Sequence, residues 1–187
     1  PTNGYAYVIR VDPAYAERAN TLQNALLNAA SSADPAHQAI VIGQGFAAIA
    51  EWEHAQRAFE ASIASDPAYA EAWAYLGEAQ THTGENPLPA LEKAIELDQD
   101  SLAANTFFAL YWQREERPDL ALTYLQHAAS LAPESTALQA DIGNTLVALG
   151  NVHDARTHFE RITEITPEDP NAWLVLAGYA INQELQV

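Results

Sequence analysis

Apolar and polar positions along the chain recur with a helical period. In the segment that opens at Pro133-Glu134-Ser135, Ile142, Gly143 and Leu146 fall at i, i+1 and i+4, a spacing that places them on one face of an α-helix. Gly150-Asn151 then breaks the chain, glycine being the usual residue just past a helix end. Ala155, Phe159 and Ile162 form a second stripe, and Pro167 stops it. The pattern predicts two helices joined by a short turn.

That pattern repeats along the chain. Asp12-Pro13-Ala14-Tyr15-Ala16-Glu17 recurs unchanged as Asp66-Pro67-Ala68-Tyr69-Ala70-Glu71. Small residues recur at Gly43, Gly77, Ala109, Gly143 and Ala177, spaced 34, 32, 34 and 34 residues. Large apolar residues recur at Phe59, Leu91, Leu125 and Phe159, spaced 32, 34 and 34. Pro67, Pro133 and Pro167 share a third slot, with Gln99 in the remaining one. The small residues mark places where paired helices approach closely, and overpacking there costs about 1–3 kcal/mol. The large ones are expected to fill the space between one unit and the next. No unit can bury its apolar face alone, so stacking supplies the core.

These residues resemble the tetratricopeptide repeat family, of the kind met in bacteria. The family's 34-residue helix–turn–helix carries tryptophan, leucine, glycine and tyrosine in its first helix, and alanine, phenylalanine, alanine and a final proline in its second. Trp73-Leu76-Gly77 matches in one unit, and Ile142-Gly143-Leu146 with Ala155-Phe159-Pro167 in another. Ile42-Gly43-Phe46 with Ala55-Phe59-Pro67 is a third, and Phe108-Ala109-Trp112 with Ala121-Leu125-Ala128-Pro133 a fourth. The match covers residues 36–183. The resemblance implies an all-α, right-handed α-solenoid with first helices lining the inner face, and about ten helices in all.

Departures from the repeat shape the expected organisation. The unit that begins near Ala70 is two residues short, and Pro87 and Pro89 delay its second helix to about Leu88. Residues 1–13 form an N-terminal segment. Within it residues 5–11 align with the end of a preceding second helix, a short extended segment being the alternative. Residues 14–35 hold a long first helix with no second helix after it. Residues 36–187 carry about four full units and a terminal helix, read as one continuous domain. The last helix, from about Pro170 to Gln183, is a first helix without its partner.

Composition then narrows the function. Of 187 residues, 25 are acidic and 8 basic, a net charge of −17 with neutral histidines. Phosphate backbones and anionic lipid are repelled, so nucleic acid and a membrane surface are excluded as partners. Cysteine is absent, which removes disulfides, thiolate chemistry and cysteine-ligated metals. No apolar run approaches the roughly 20 residues that span a bilayer, and no basic-then-apolar leader opens the chain. Methionine is also absent, which fits a fragment or processed chain. Cytoplasmic placement and the soluble part of an exported or membrane-anchored bacterial protein both stay open.

Candidate chemistry is sparse. His153 and His158 share a helix with Asp154 and Glu160. Five residues apart they point about 140° away from each other, whereas a helical metal site wants i, i+4 spacing. Glu51, Glu53, Glu115 and Glu116 read as solvated faces. No nucleophile elbow, Walker loop or dinucleotide fingerprint occurs, and Gly43-Gln44-Gly45 lacks the third glycine. Neither catalysis nor a cofactor or metal is expected. Trp73 and Trp173 occupy the family's tryptophan slot, which implies core packing. Trp52 and Trp112 lie near inter-helix turns and are expected to pack there.

The inner face is the candidate binding site. Offset from the packing stripes are Tyr75, Glu78 and His82, then Phe107, Leu110 and Arg114, then Asp141, Asn144 and Val147, and on the last helix Leu174, Gly178 and Ile181. Some chaperone-binding members of the family hold a peptide's terminal carboxylate with lysines and asparagines in this groove. Here only Asn144 matches, and the single lysine is Lys93. The groove reads as apolar with an acidic rim. It suits an apolar peptide or helix bound by a scaffold without catalytic activity. A self-assembly module that pairs with its own copy, and the non-catalytic arm of a larger enzyme or secretion component, are the alternatives.

Overall fold

The computed structural model describes residues 13–184, which form ten α-helices with no strand among the described residues. Residues 5–11, and the expectations for them, lie outside that range. The helices gather into two compact units that divide between Gln99 and Asp100. The first unit holds α1 (Pro13–Ala30), α2 (Pro35–Ala48), α3 (Trp52–Ser65), α4 (Ala70–Thr83) and α5 (Leu88–Leu97). The second holds α6 (Leu102–Arg114), α7 (Pro118–Leu131), α8 (Thr136–Ala148), α9 (Val152–Ile165) and α10 (Pro170–Glu184).

Local sequence sets the helix ends. Asp34 caps α2 by accepting from Ala36 N at 3.0 Å, Ser101 caps α6 by accepting from Ala104 N at 3.3 Å, and Ser135 caps α8 by accepting from Leu138 N at 3.4 Å. Each hairpin turn carries one residue in the left-handed region: Ala50 (φ 59°), Gly84 (φ 81°), Glu116 (φ 56°) and Gly150 (φ 76°). Each turn is closed by the same long backbone bond, Glu51 N to Phe46 O, Glu85 N to Gln80 O, Arg117 N to Trp112 O and Asn151 N to Leu146 O, at 2.8–2.9 Å. This is the Schellman closure of a helix end. Glycine supplies the conformation at two turns, while alanine and glutamate bear its cost at the other two.

The repeat's small and large residues meet. A Cβ placed on Gly43 would lie 2.4 Å from Phe59 Cε1. On Gly77 it would lie 2.7 Å from Leu91 Cδ2, and on Gly143 2.7 Å from Phe159 Cζ. In these three hairpins the large residue of the second helix therefore rests on the bare backbone of its own first helix. The sequence expectation placed these residues between units. They also reach the next first helix, as Phe59 stacks on Tyr75 at 5.3 Å and Phe159 lies 4.9 Å from Tyr179.

The expected delay of α5 is found, its first residue being Leu88 after the buried Pro87. The duplicated hexapeptide, by contrast, adopts two structures. Its first copy enters α1 at Pro13, whereas the second forms a turn in which Asp66 Oδ1 accepts from Ala68 N, and α4 starts only at Ala70.

Candidate functional site

In the first unit the site candidates lie on α4. Tyr75 is half-buried against Phe59. Burial pushes its hydroxyl pKa above the usual tyrosine value, with Glu71 adding to the shift and a hydrogen bond from Gln44 opposing it. Glu78 and His82 pair along the helix at 3.1 Å. The His82 ring lies flat on the Trp52 indole, 3.7 Å between centroids and 5° between planes. Trp52 opens α3 just after a hairpin turn, so it packs at the turn as the sequence suggests, and its partner there is a groove candidate.

In the second unit the candidates lie on α6 and α8. Phe107, Leu110 and Val147 are half-buried, while Arg114 and Asn144 are exposed. Asp141 is half-buried, and burial alone raises its carboxyl pKa above the ordinary aspartate value. A bridge joins the two helices. Gln113 Nε2 donates to Thr145 Oγ1 at 3.0 Å, and the Thr145 hydroxyl donates to the Asp141 carbonyl at 2.7 Å.

Beside this bridge lies an open hollow of about 500 Å³ lined by Gln113, Glu116, Asp141, Asn144 and Thr145. The structure brings Asp141 and Asn144 together here. Phe107, Leu110 and Val147 are not part of its wall. Sequence reasoning missed Gln113 and Thr145, and read Glu116 as part of a solvated face, where it is indeed exposed. No periodic signal marks the pair: Gln113 and Thr145 stand 32 residues apart, two short of the 34-residue register of their units.

The remaining candidates resolve locally. His158 Nδ1 meets Gln139 Oε1 at 2.8 Å, and its half-burial lowers the imidazole pKa. His153 is exposed. Among the described residues no group of three histidine or carboxylate side chains stands where a metal ion could be held. Trp112 packs on Phe108 at 5.7 Å near the end of α6. Trp173 departs from expectation, being 53% exposed. No described helix follows α10 to cover it. Leu174, Val175 and Ile181 are exposed beside it, and Gly178 has no atom within 4 Å of where a Cβ would be.

Two family models, each of the tetratricopeptide repeat, match over residues 40–107 and 113–179. The chain belongs to the tetratricopeptide repeat family. It is accordingly a protein–protein interaction module, built on the α-solenoid fold. A stretch of 79 residues is 35% identical to the peroxisomal targeting signal receptor of Komagataella phaffii. That match covers 41% of this chain and 14% of the receptor. Among solved structures, PilF of Pseudomonas aeruginosa superimposes with a TM-score of 0.71 at 19% identity, over 80% of this tetratricopeptide chain and 69% of that one. A thermophilic TPR protein of Thermus thermophilus, TTC0263, gives 0.70 at 13% identity, over 88% and 99%. At these identities the structures speak for the fold. No described helix is long and apolar enough to cross a membrane.

Proposed function

We propose that this tetratricopeptide chain is a scaffold without catalytic activity that binds an apolar peptide or helix on its first helices. The observation that carries the reading is the state of Phe107 and Leu110. The repeat register sets them off the stripe that packs each helix on its partner, and they remain half-buried, whereas Val147 packs against the second unit's core. Exposed apolar area costs about 25 cal/mol per Å², so a covering ligand gains by burying it. The similarity to a receptor for a targeting signal supports recognition of a polypeptide segment.

The test is a Phe107→Asp, Leu110→Asp double substitution. Partners recovered by the purified chain, identified by mass spectrometry, are expected to be lost while the melting temperature stays within a few degrees. Undiminished recovery overturns the site, and unfolding of the variant shows that these side chains belong to the core.

A second reading, self-assembly, is favoured by one observation. Of eleven large apolar side chains left exposed among the described residues, seven lie on α1 or α10: Tyr15, Leu26, Leu27, Trp173, Leu174, Val175 and Ile181. Sedimentation across a hundred-fold concentration range separates the readings. A constant monomer mass removes self-assembly.

A further inference from the structure

Acidic side chains of the second unit mostly have partners. Asp119 pairs with Arg117, Glu160 with Arg156, and Glu134 and Glu164 with Arg161. All of these lie on water-exposed surfaces, where pairing gains little. Asp141 is the reverse case. It is half-buried, yet among the described residues its carboxylate has no hydrogen bond and no ion pair. Two donors that share the hollow with it are committed elsewhere, Gln113 to Thr145 and Thr145 to the Asp141 carbonyl. A carboxylate partly withdrawn from water without a counter-charge is costly, and a cation brought beside it recovers much of that cost.

We propose that the hollow between α6 and α8 takes up a basic side chain, lysine or arginine, of the bound segment, with Asp141 as its counter-ion. The inference rests on the peptide-binding role proposed above and assigns that ligand a charge. The hollow, about 500 Å³ and open to solvent, admits a long side chain from outside. Its wall adds the Glu116 carboxylate and the Asn144 amide to Asp141, oxygens that suit a head group made only of N–H donors. Lysine and arginine also lay an apolar stem behind the charge, and Pro118 and Ala148 in the wall give that stem an apolar surface. The chain's charge of −17 speeds the approach of a cation and rejects an anion. Burial raises the Asp141 pKa for the same reason that a cation is wanted there: the charged form lacks compensation.

The test uses two acetylated, amidated helical peptides with leucines at i, i+3 and i+7, one with a central lysine and one with norleucine in its place. The lysine peptide is expected to bind at least ten-fold more tightly at 0.15 M salt. Asp141→Asn should bring the ratio near one. Asp119→Asn, which removes an exposed charge of the same sign, should leave the ratio intact. A ratio near one in the native chain, or one that Asp141→Asn does not move, overturns the proposal while the apolar reading stands. If neither peptide binds, the apolar reading falls, and Nα-acetyl-lysine amide is titrated at millimolar concentration by NMR. Shifts of the Asn144 and Gln113 side-chain amides that vanish in Asp141→Asn sustain the cation site, and no shift overturns it. Equal binding of n-butylamine and the lysine peptide would assign the hollow to a free amine and overturn a polypeptide ligand.

Discussion

Trp73 and Trp173 occupy the same place in the repeat, and their local contacts are identical. Each indole N–H donates to the carbonyl of a proline six residues earlier, Pro67 or Pro167, at 2.9 Å. Yet Trp73 is half-buried in the first unit's core, whereas Trp173 is 53% exposed. The difference lies in the next helix. After α4 comes α5, whose Leu91 presses on Gly77. After α10 no described helix supplies a large residue, so the slot at Ala177 and the tryptophan beside it stay open. A repeat motif thus sets how the chain bonds to itself locally, while burial is conferred by the neighbouring helix.

The largest expected effect tests the slot itself. Gly143→Leu would drive a side chain into the Phe159 ring, where even a Cβ stands at 2.7 Å. Destabilisation of more than about 3 kcal/mol is expected, seen as a fall in denaturation midpoint. Ala177→Leu, the same slot on α10, should change stability by less than about 0.5 kcal/mol. A large loss at Ala177 would mean that α10 is covered in solution, which would favour self-assembly.

The tryptophans give a second, smaller contrast. Trp73→Ala opens a void in the first unit's core and should cost about 2–3 kcal/mol. Trp173→Ala removes a side chain already half in water and should cost under about 1 kcal/mol. Equal losses would erase the distinction between the two helices.

These contrasts show what was legible in the sequence. The repeat register located the slots at Gly43, Gly77 and Gly143 and the large residue that fills each, because close packing restricts both, but not Gly45, which packs on Ala25. The late start of α5 was readable from Pro87 and Pro89. The exposure of Trp173 was not, since the motif records a position and not the presence of a neighbour. The hollow at Asp141 was half legible. Asp141 and Asn144 stood out as polar on an inner face, but Gln113 and Thr145 gained their role from a bond between helices 32 residues apart. The left-handed residues show the same limit. Gly84 and Gly150 announce their turns, whereas Ala50 and Glu116 hold that conformation because the hairpin geometry demands it.

The turns supply the third effect. Gly84 and Gly150 have no atom within 4 Å of where a Cβ would stand, so Gly84→Ala or Gly150→Ala should cost only the conformational penalty, about 1 kcal/mol. Ala50→Gly should gain a similar or slightly smaller amount, since glycine loses more chain entropy on folding. A destabilised Ala50→Gly would show that the alanine methyl makes a contact worth more than the backbone strain.

The smallest effect compares the inner position on a covered helix and on an open one. Asp141 on α8 and Val175 on α10 stand 34 residues apart, at one register of the repeat. Val175 is 41% exposed, while Asp141 is half-buried, and burial raises its pKa. Below the ordinary carboxylate range both folded and unfolded chains hold the proton, so Asp141 adds nothing. As pH rises, the unfolded chain ionises first and is favoured, and stability falls until the folded carboxyl has also lost its proton. Asp141→Asn should therefore raise the melting temperature at pH 7, by a margin that shrinks to nothing in acid. Val175→Asp should show no such raised carboxyl, because no described helix follows α10 to remove it from water. NMR titration of the two carboxyls is decisive: a normal Asp141, or a Val175→Asp carboxyl raised as far, would show that the covering helices do not set the electrostatics of this face.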